Sequence, residues 1–340
     1  MKAIVYHRYG SPDVVSLAEV PKPVPKDNEV LIRIYASTVT TGDWRARSLD
    51  LPAGFGFMGR LVFGVFGPRQ PILGTELAGE IEAVGRAVTR FKTGDQVFAF
   101  PGGKYGGHAE YRTMPEDGMI ALKPANLSFE EAAALSFGGT TALAFLRDLA
   151  GIKAGDKVLV VGASGGVGTA AVQIARSFGA IVTGVTSTSN LELVRSIGAD
   201  NVIDYTKEDF SQSGDSWDII LDTTGTAPFA RSERVLKPGG RLLVVLGSLA
   251  QAMGIGRPAK ASGKTVIAAV PKITVEHMQF LAKLAEAGRF KPVIDRGYPL
   301  ENAAEAHAYV DTGRKRGNVV LTVRQVAAKV EGRPRAMARN

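Results

Sequence analysis

The segment Lys157 to Ala175, KVLVVGASGGVGTAAVQIA, limits the possible folds more than any other stretch of the chain. Lys157 to Val161 is a short β-branched run that reads as a buried strand. It breaks at glycines and passes directly into a helical pattern, with Val167, Ala171, Ile174, Ala175 and Phe178 on one face. A glycine turn between a strand and a helix lets the backbone approach a pyrophosphate, and the helix start offers free N–H groups and a positive pole to that anion. Gly162, Gly165 and Gly168 stand three apart, with Ala163 in the first place of the usual G-x-G-x-x-G. Gly162, Ser164, Gly165, Gly166, Val167 and Gly168 are therefore the predicted dinucleotide cradle.

The choice of dinucleotide is made at the end of the second strand, where a carboxylate about 20 residues on would bond the adenosine ribose. Here that place holds Thr186, followed by Ser187, Thr188 and Ser189. Hydroxyl donors without a repelling carboxylate suit a 2′-phosphate, and the expected cofactor is NADPH. No Lys or Arg lies between Thr186 and Leu191, so the cation usual for that phosphate is missing from the loop. Tyr205, after the third strand, is a further hydroxyl candidate.

Further strand candidates are Ile181 to Val185, Asn201 to Ile203, Ile219 to Asp222, Arg241 to Leu246 and Thr265 to Ala269, with helical patterns between several of them. This alternation predicts an α/β domain with a doubly wound parallel sheet. The first third reads differently. Val30, Ile32 and Ile34 alternate with Leu31, Arg33 and Tyr35, and Glu80 to Val84 and Gln96 to Phe100 are similar short strands between glycine turns, which predicts a β-rich domain. Within it, Phe55 to Phe66 is apolar but too glycine-rich for a good helix, and reads either as core or as a flap over a pocket. GNVVLTV at 317–323 returns to β character. The predicted organisation is a substrate domain at 1–122, a dinucleotide domain at 123–290, a return to the first domain at 291–323 and a basic tail at 324–340.

With 340 residues, 45% apolar and 22% charged, the chain has the composition of a globular protein of two domains. It has no cysteine, which excludes disulfides, thiol nucleophiles, iron–sulfur clusters and thiolate zinc sites. The net charge of +8 is concentrated at the end, where five Lys or Arg face one Glu from Arg324 onward. A solvated tail accounts for that excess, and nucleic acid is not an expected partner. Met1 leads straight into a strand-like run, and no stretch approaches the roughly 20 apolar residues of a membrane span. A cytoplasmic protein with no membrane partner is expected.

The ordered motifs GGTTAL at 138–143, KAGDKVLVVGASGGVG at 153–168, SIGADNVIDY at 196–205 and LKPGGRLLVV at 236–245 resemble the medium-chain dehydrogenase/reductase superfamily, and most of all its zinc-independent quinone oxidoreductase branch. The resemblance covers nearly the whole chain up to Val323. It implies a GroES-like β-rich catalytic domain joined to a Rossmann domain, NADPH-dependent reduction of quinones or α,β-unsaturated carbonyl compounds, a small apolar electrophilic substrate, and a homodimer built by extending the central sheets.

At the positions where the zinc-dependent members of the superfamily hold their metal, this chain has Thr40, Thr75 and Ser136, and its histidines His7, His108, His277 and His307 are scattered. Glu76 and Asp43 alone are poor zinc ligands, so no zinc is expected. The resemblance places Thr40, as hydroxyl donor, and Asp43 at the reacting centre. It places Trp44 with the flap residues Phe55, Phe57 and Phe63 at the substrate, and Thr140, Leu246, Gly247 and Asn318 around the nicotinamide. Zinc-free alcohol or aldehyde dehydrogenation and enoyl-thioester reduction are the related alternatives. A short-chain dehydrogenase is disfavoured because no Tyr is followed four residues later by Lys. A non-catalytic NADPH-binding protein using its tail on RNA is the alternative of another class.

Overall fold

The computed structural model describes residues 1–253 and 263–325, so the predicted basic tail lies outside the described residues from position 326 on. The alternating N-terminal segments form β1 (Lys2–Val5) and β2 (Ser16–Glu19), an antiparallel pair. They are followed by β3 (Glu29–Thr38), β4 (Leu77–Val84), β5 (Gln96–Ala99), β6 (Tyr111–Pro115) and β7 (Ile120–Leu122). Val30, Ile32 and Ile34 are fully buried as their alternation predicts, and Leu31 is buried too, since β3 lies inside the sheet with partners on both edges.

Two helices follow β3: α1 (Thr41–Ser48) and α2 (Gly56–Phe63). The second corrects the expectation that the glycine-rich segment avoids helix. Gly59 is buried, and a Cβ there would sit 2.0 Å from Leu51 Cδ1, so close packing selects the glycine against its helix propensity.

The second domain opens with α3 (Phe129–Ala133) and α4 (Ser136–Leu143). Then come β8 (Lys157–Val161), α5 (Gly166–Ser177), β9 (Ile181–Thr186), α6 (Leu191–Ser196), β10 (Asn201–Asp204), β11 (Trp217–Asp222), α7 (Phe229–Ser232), β12 (Leu236–Val244), α8 (Leu249–Ala252), β13 (Thr265–Ala268) and α9 (Val275–Glu286). The six strands are all parallel in the order β10-β9-β8-β11-β12-β13. That order reverses direction between β8 and β11 and opens a crevice at their carboxyl ends. β12 starts at Leu236 rather than Arg241, because Trp217 pairs with Leu236 before a register shift.

The chain then returns to the first sheet through β14 (Ile294–Pro299), α10 (Ala303–Asp311) and β15 (Asn318–Thr322). β15 runs parallel to β14 and antiparallel to β3, giving a seven-stranded sheet. Just before β15, Gly317 N donates to Ser164 O at 2.7 Å and joins this segment to the glycine turn of the second domain.

A buried polar cluster lies where α1 meets α10. The Arg47 guanidinium donates to both carboxylate oxygens of Asp311 at 2.7 and 2.6 Å. His108 Nε2 sits 2.9 Å from Thr38 O, and the fully buried His307 ring packs edge-on to His108 with no protein partner at either nitrogen. Burial, then the nearby His108 and Arg47, push His307 well below its ordinary value of 6.5. The unfolded chain therefore takes up a proton that the folded chain refuses. The stability tied to neutral His307 is complete above pH 6.5 and declines as the pH falls below it. In thermal unfolding between about pH 5 and pH 8, the wild-type midpoint should drop more on acidification than that of His307→Leu.

Candidate active site

A cleft of about 700 Å3 runs between the two domains along the predicted dinucleotide path. Its centre is the glycine turn. Gly162 adopts a φ of +82°, and α5 starts at Gly165 with no side-chain cap, which leaves its first N–H groups free for an anion. Gly162, Ser164, Gly165, Gly166 and Val167 all line the cleft. A Cβ on Gly166 would stand 3.1 Å from Lys315 Nζ and 3.2 Å from Asn318 Oδ1, so glycine leaves room there for a ligand. Gly168 does not line the cleft. A Cβ on it would lie 2.1 Å from Gly162 O, and its role is close packing of helix on turn.

At the adenosine end, Thr186, Ser187, Ser189 and Tyr205 line the cleft as predicted. The buried Thr186 hydroxyl donates to Ser164 Oγ at 2.9 Å, and Asn190 Nδ2 donates to Ser164 Oγ at 3.1 Å and Ser187 Oγ at 3.2 Å. Thr188 is a correction: its hydroxyl turns away to Asp204 and lies 3.0 Å from Thr206 Oγ1.

Basic residues absent from this loop reach the same cleft from the other domain. Arg314, Lys315 and Arg316, in the turn between α10 and β15, line the same cleft, as does Arg45 of α1. Lys315 Nζ donates to Gly317 O at 2.6 Å, and burial pushes its ammonium down to about 8 against the pull of Glu76 and Asp295. Sequence reasoning missed this turn because only the return of β15 brings it to α5. The basic triplet directly before the GNVVL motif was the available signal.

At the inner end, Leu246 lines the cleft. Gly247 stands behind it, where a Cβ would meet Ala268 Cβ at 2.9 Å. Asn318 is buried, and both its backbone N–H and its Nδ2 donate to Val293 O, at 2.8 and 3.0 Å, so these donors do not face a nicotinamide. Thr140 is fully buried on α4 with a partnerless hydroxyl, and so is Ser136 one turn earlier. Among the described residues these are the only buried hydroxyls without a protein partner.

Thr40 and Asp43 are brought together, but not as predicted. Thr40 is the N-cap of α1, and its hydroxyl accepts from Asp43 N at 3.1 Å and donates to Asp43 Oδ2 at 2.6 Å, a capping box. The proton expected for an acceptor oxygen is thus held by Asp43. That carboxylate also accepts from Thr40 N at 2.8 Å, Gly74 N at 2.9 Å and Thr75 Oγ1 at 3.3 Å. Asp43 is fully buried and fastens the 74–75 loop to α1. Glu76, also fully buried, accepts from Thr38 Oγ1 at 2.5 Å and from Phe137 N, at the start of α4, at 2.6 Å. Burial raises its carboxyl to about 7 in spite of these donors.

Of the predicted substrate residues, Trp44 lines the cleft. Phe63 packs inward, 6.4 Å from the Tyr105 ring, Phe55 is half-buried, and Phe57 points to solvent. The flap backbone reaches the second domain, with Leu249 N donating to Ala53 O at 3.0 Å.

The residues at the metal positions do not fit zinc. Thr40, Thr75 and Ser136 offer neutral hydroxyls, and both nearby carboxylates are taken up by protein donors. Among the described residues no group of three or more His, Cys, Asp or Glu is placed to hold an ion.

Residues 26–124 match the family described as alcohol dehydrogenase GroES-like domain, and residues 197–321 match that described as zinc-binding dehydrogenase. The 2-methylene-furan-3-one reductase of Solanum lycopersicum is 36% identical over 333 residues, 94% of this chain and 79% of that protein. The quinone oxidoreductase of Sus scrofa is 36% identical over 322 residues, 90% of this chain and 93% of that protein. Among solved structures, the quinone oxidoreductase from Coxiella burnetii superposes with a TM-score of 0.83 at 29% identity, covering 95% of this chain and 99% of that one. The chain belongs to the medium-chain dehydrogenase/reductase superfamily. It is an oxidoreductase with a nicotinamide cofactor, which the glycine cradle and the open N-terminus of α5 fit.

The two glycines separate binding from folding. Gly166→Ala should weaken dinucleotide binding about tenfold in fluorescence titration with little change in thermal midpoint, whereas Gly168→Ala should lower the midpoint itself.

Proposed function

We propose that the protein reduces quinones or α,β-unsaturated carbonyl compounds with NADPH and without a metal. What supports this reading is the chemistry at the positions that the resemblance assigns to a metal: Thr40, Thr75 and Ser136 carry neutral hydroxyls, and Ser136 Oγ is buried without a protein partner among the described residues. Without a Lewis acid, removing hydride from an alcohol loses its main aid. Bound NADPH supplies hydride, which a conjugated acceptor takes at carbon because conjugation passes the charge to its oxygen. The relatives named as furanone reductase and quinone oxidoreductase support this substrate class.

The chain's own residues then have three tasks. The glycine turn, the α5 N-terminus and Lys315 hold the pyrophosphate, while Thr186, Ser187 and Ser189, with Arg314 and Arg316 across the cleft, suit a 2′-phosphate. Trp44 covers the cleft from the substrate domain and helps exclude water. With the Thr40 proton donated to Asp43, Ser136 is the proposed donor to the acceptor oxygen, because its hydroxyl has no protein partner among the described residues. Solvent supplies the final proton. The same reading includes a cytosolic homodimer that adds strands at β13, an edge of the six-stranded sheet. Among the described residues no helix is long and apolar enough to cross a membrane.

The test is a turnover screen in EDTA against a quinone, an enone and an enoyl thioester with both reduced cofactors. NADPH consumption with a quinone or an enone is expected, and no turnover, or turnover abolished by the chelator, overturns the reading. Ser136→Ala should lower kcat about 100-fold while leaving the KM for NADPH unchanged.

Cofactor choice is tested separately. Thr186→Asp should shift the NADPH/NADH preference at least about tenfold toward NADH through repulsion of the phosphate, as measured by kcat/KM for each cofactor.

A further inference from the structure

The outer face of α2 is more apolar than its inner face. Gly59 and Phe63 turn toward the domain, whereas Phe57 and Val62 are 77% and 63% exposed beside the exposed Met58 and Leu61; just past the end of the helix Val65 is exposed too, and Phe66 is 104% exposed. Positions 57 and 61, and 58 and 62, are four apart and share one helix face. A helix that only packed on its own domain would have the opposite pattern. Exposed apolar surface of this continuity marks a binding face.

Charge identifies the partner. From Leu51 to Thr75 the chain has no Asp or Glu, and its two charged residues are Arg60 and Arg69. Both are exposed, and neither has a carboxylate partner among the described residues. The Tyr9 hydroxyl bonds Gly64 O at 2.8 Å and fastens the end of this ridge to the domain. Among the described residues nothing covers the Phe66 ring, which is fully exposed beside these unpaired cations.

We propose that the α2 ridge docks this protein peripherally on an anionic lipid surface. Phe57, Val62 and Phe66 enter the acyl boundary, and Arg60 and Arg69 meet the lipid phosphates. This revises the expectation of no membrane partner, as a surface contact rather than a span. It is independent of the reductase reading, because the test reads vesicle binding without turnover.

The experiment is flotation of the full chain with phosphatidylcholine vesicles containing about 30% phosphatidylglycerol, and with pure phosphatidylcholine vesicles, alongside the double variant Val62→Ser/Phe66→Ser. The wild type should float with the anionic vesicles and much less with the neutral ones. The variant should lose at least about tenfold in partitioning with an unchanged thermal midpoint. Failure of the wild type to float overturns the proposal. So does a variant that floats as well as the wild type, which would assign binding to general positive charge or the basic C-terminal segment. Sedimentation velocity closes the remaining route: a wild-type dimer that the double variant dissociates would show that a second copy covers the ridge, and would also overturn it.

Discussion

One backbone hydrogen bond, from Gly317 N to Ser164 O, sets the geometry of the whole cleft. It ties the segment that re-enters the first sheet to the glycine turn at the head of α5, and Gly165 and Gly317 pair as an isolated parallel bridge. Gly317 has a φ of +68°, and a Cβ there would lie 2.3 Å from Val293 O, so only glycine permits the joint. Asn318 reinforces it through two bonds to that same carbonyl. The basic turn at 314–316 is held over the start of α5 as a result. Charge reaches the dinucleotide path from the opposite domain, through a backbone joint that requires glycine at 317.

At the positions that the resemblance assigns to a metal, the chain has hydroxyls beside two carboxylates that the protein itself engages. Asp43 and Glu76 are each engaged by N–H and O–H donors of the protein. For Glu76 one of these donors is Phe137 N at the amino end of α4, where the helix pole favours the charged form that burial opposes. The same bonds hold α1, the 74–75 loop and α4 together. The two carboxylates have become structural, and the partnerless hydroxyls of α4 are what remains available to a ligand.

Local features were legible in the sequence. The strand, glycine turn and helix at 157–178 needed only neighbours in the chain, and each predicted cradle residue except Gly168 lies on the cleft. The first domain's strands followed from alternation, and the doubly wound sheet from the succession of strands and helices. What failed depended on distant contacts. In α2, Gly59 is selected by the close approach of Leu51, which the sequence does not reveal, and Phe57 and Phe63 diverged because they point to opposite faces of that helix. Thr40 was expected as a donor to the substrate, and only the folded α1 shows its hydroxyl donating to Asp43 instead. The 314–316 turn could be placed only once β15 was known to pair with β3.

That pairing has a consequence for synthesis of the protein. β15 fills the slot between β14 and β3, although β3 emerges from the ribosome almost three hundred residues earlier. Until the last strand arrives, β6 covers Glu29 to Arg33 of β3, but the stretch from Ala36 to Thr38 lacks its partner on that edge. The Rossmann half, whose six strands are contiguous in the chain, has no such wait. The first sheet is therefore complete only after the Rossmann half, which lies between its two pieces in the chain, has been synthesised.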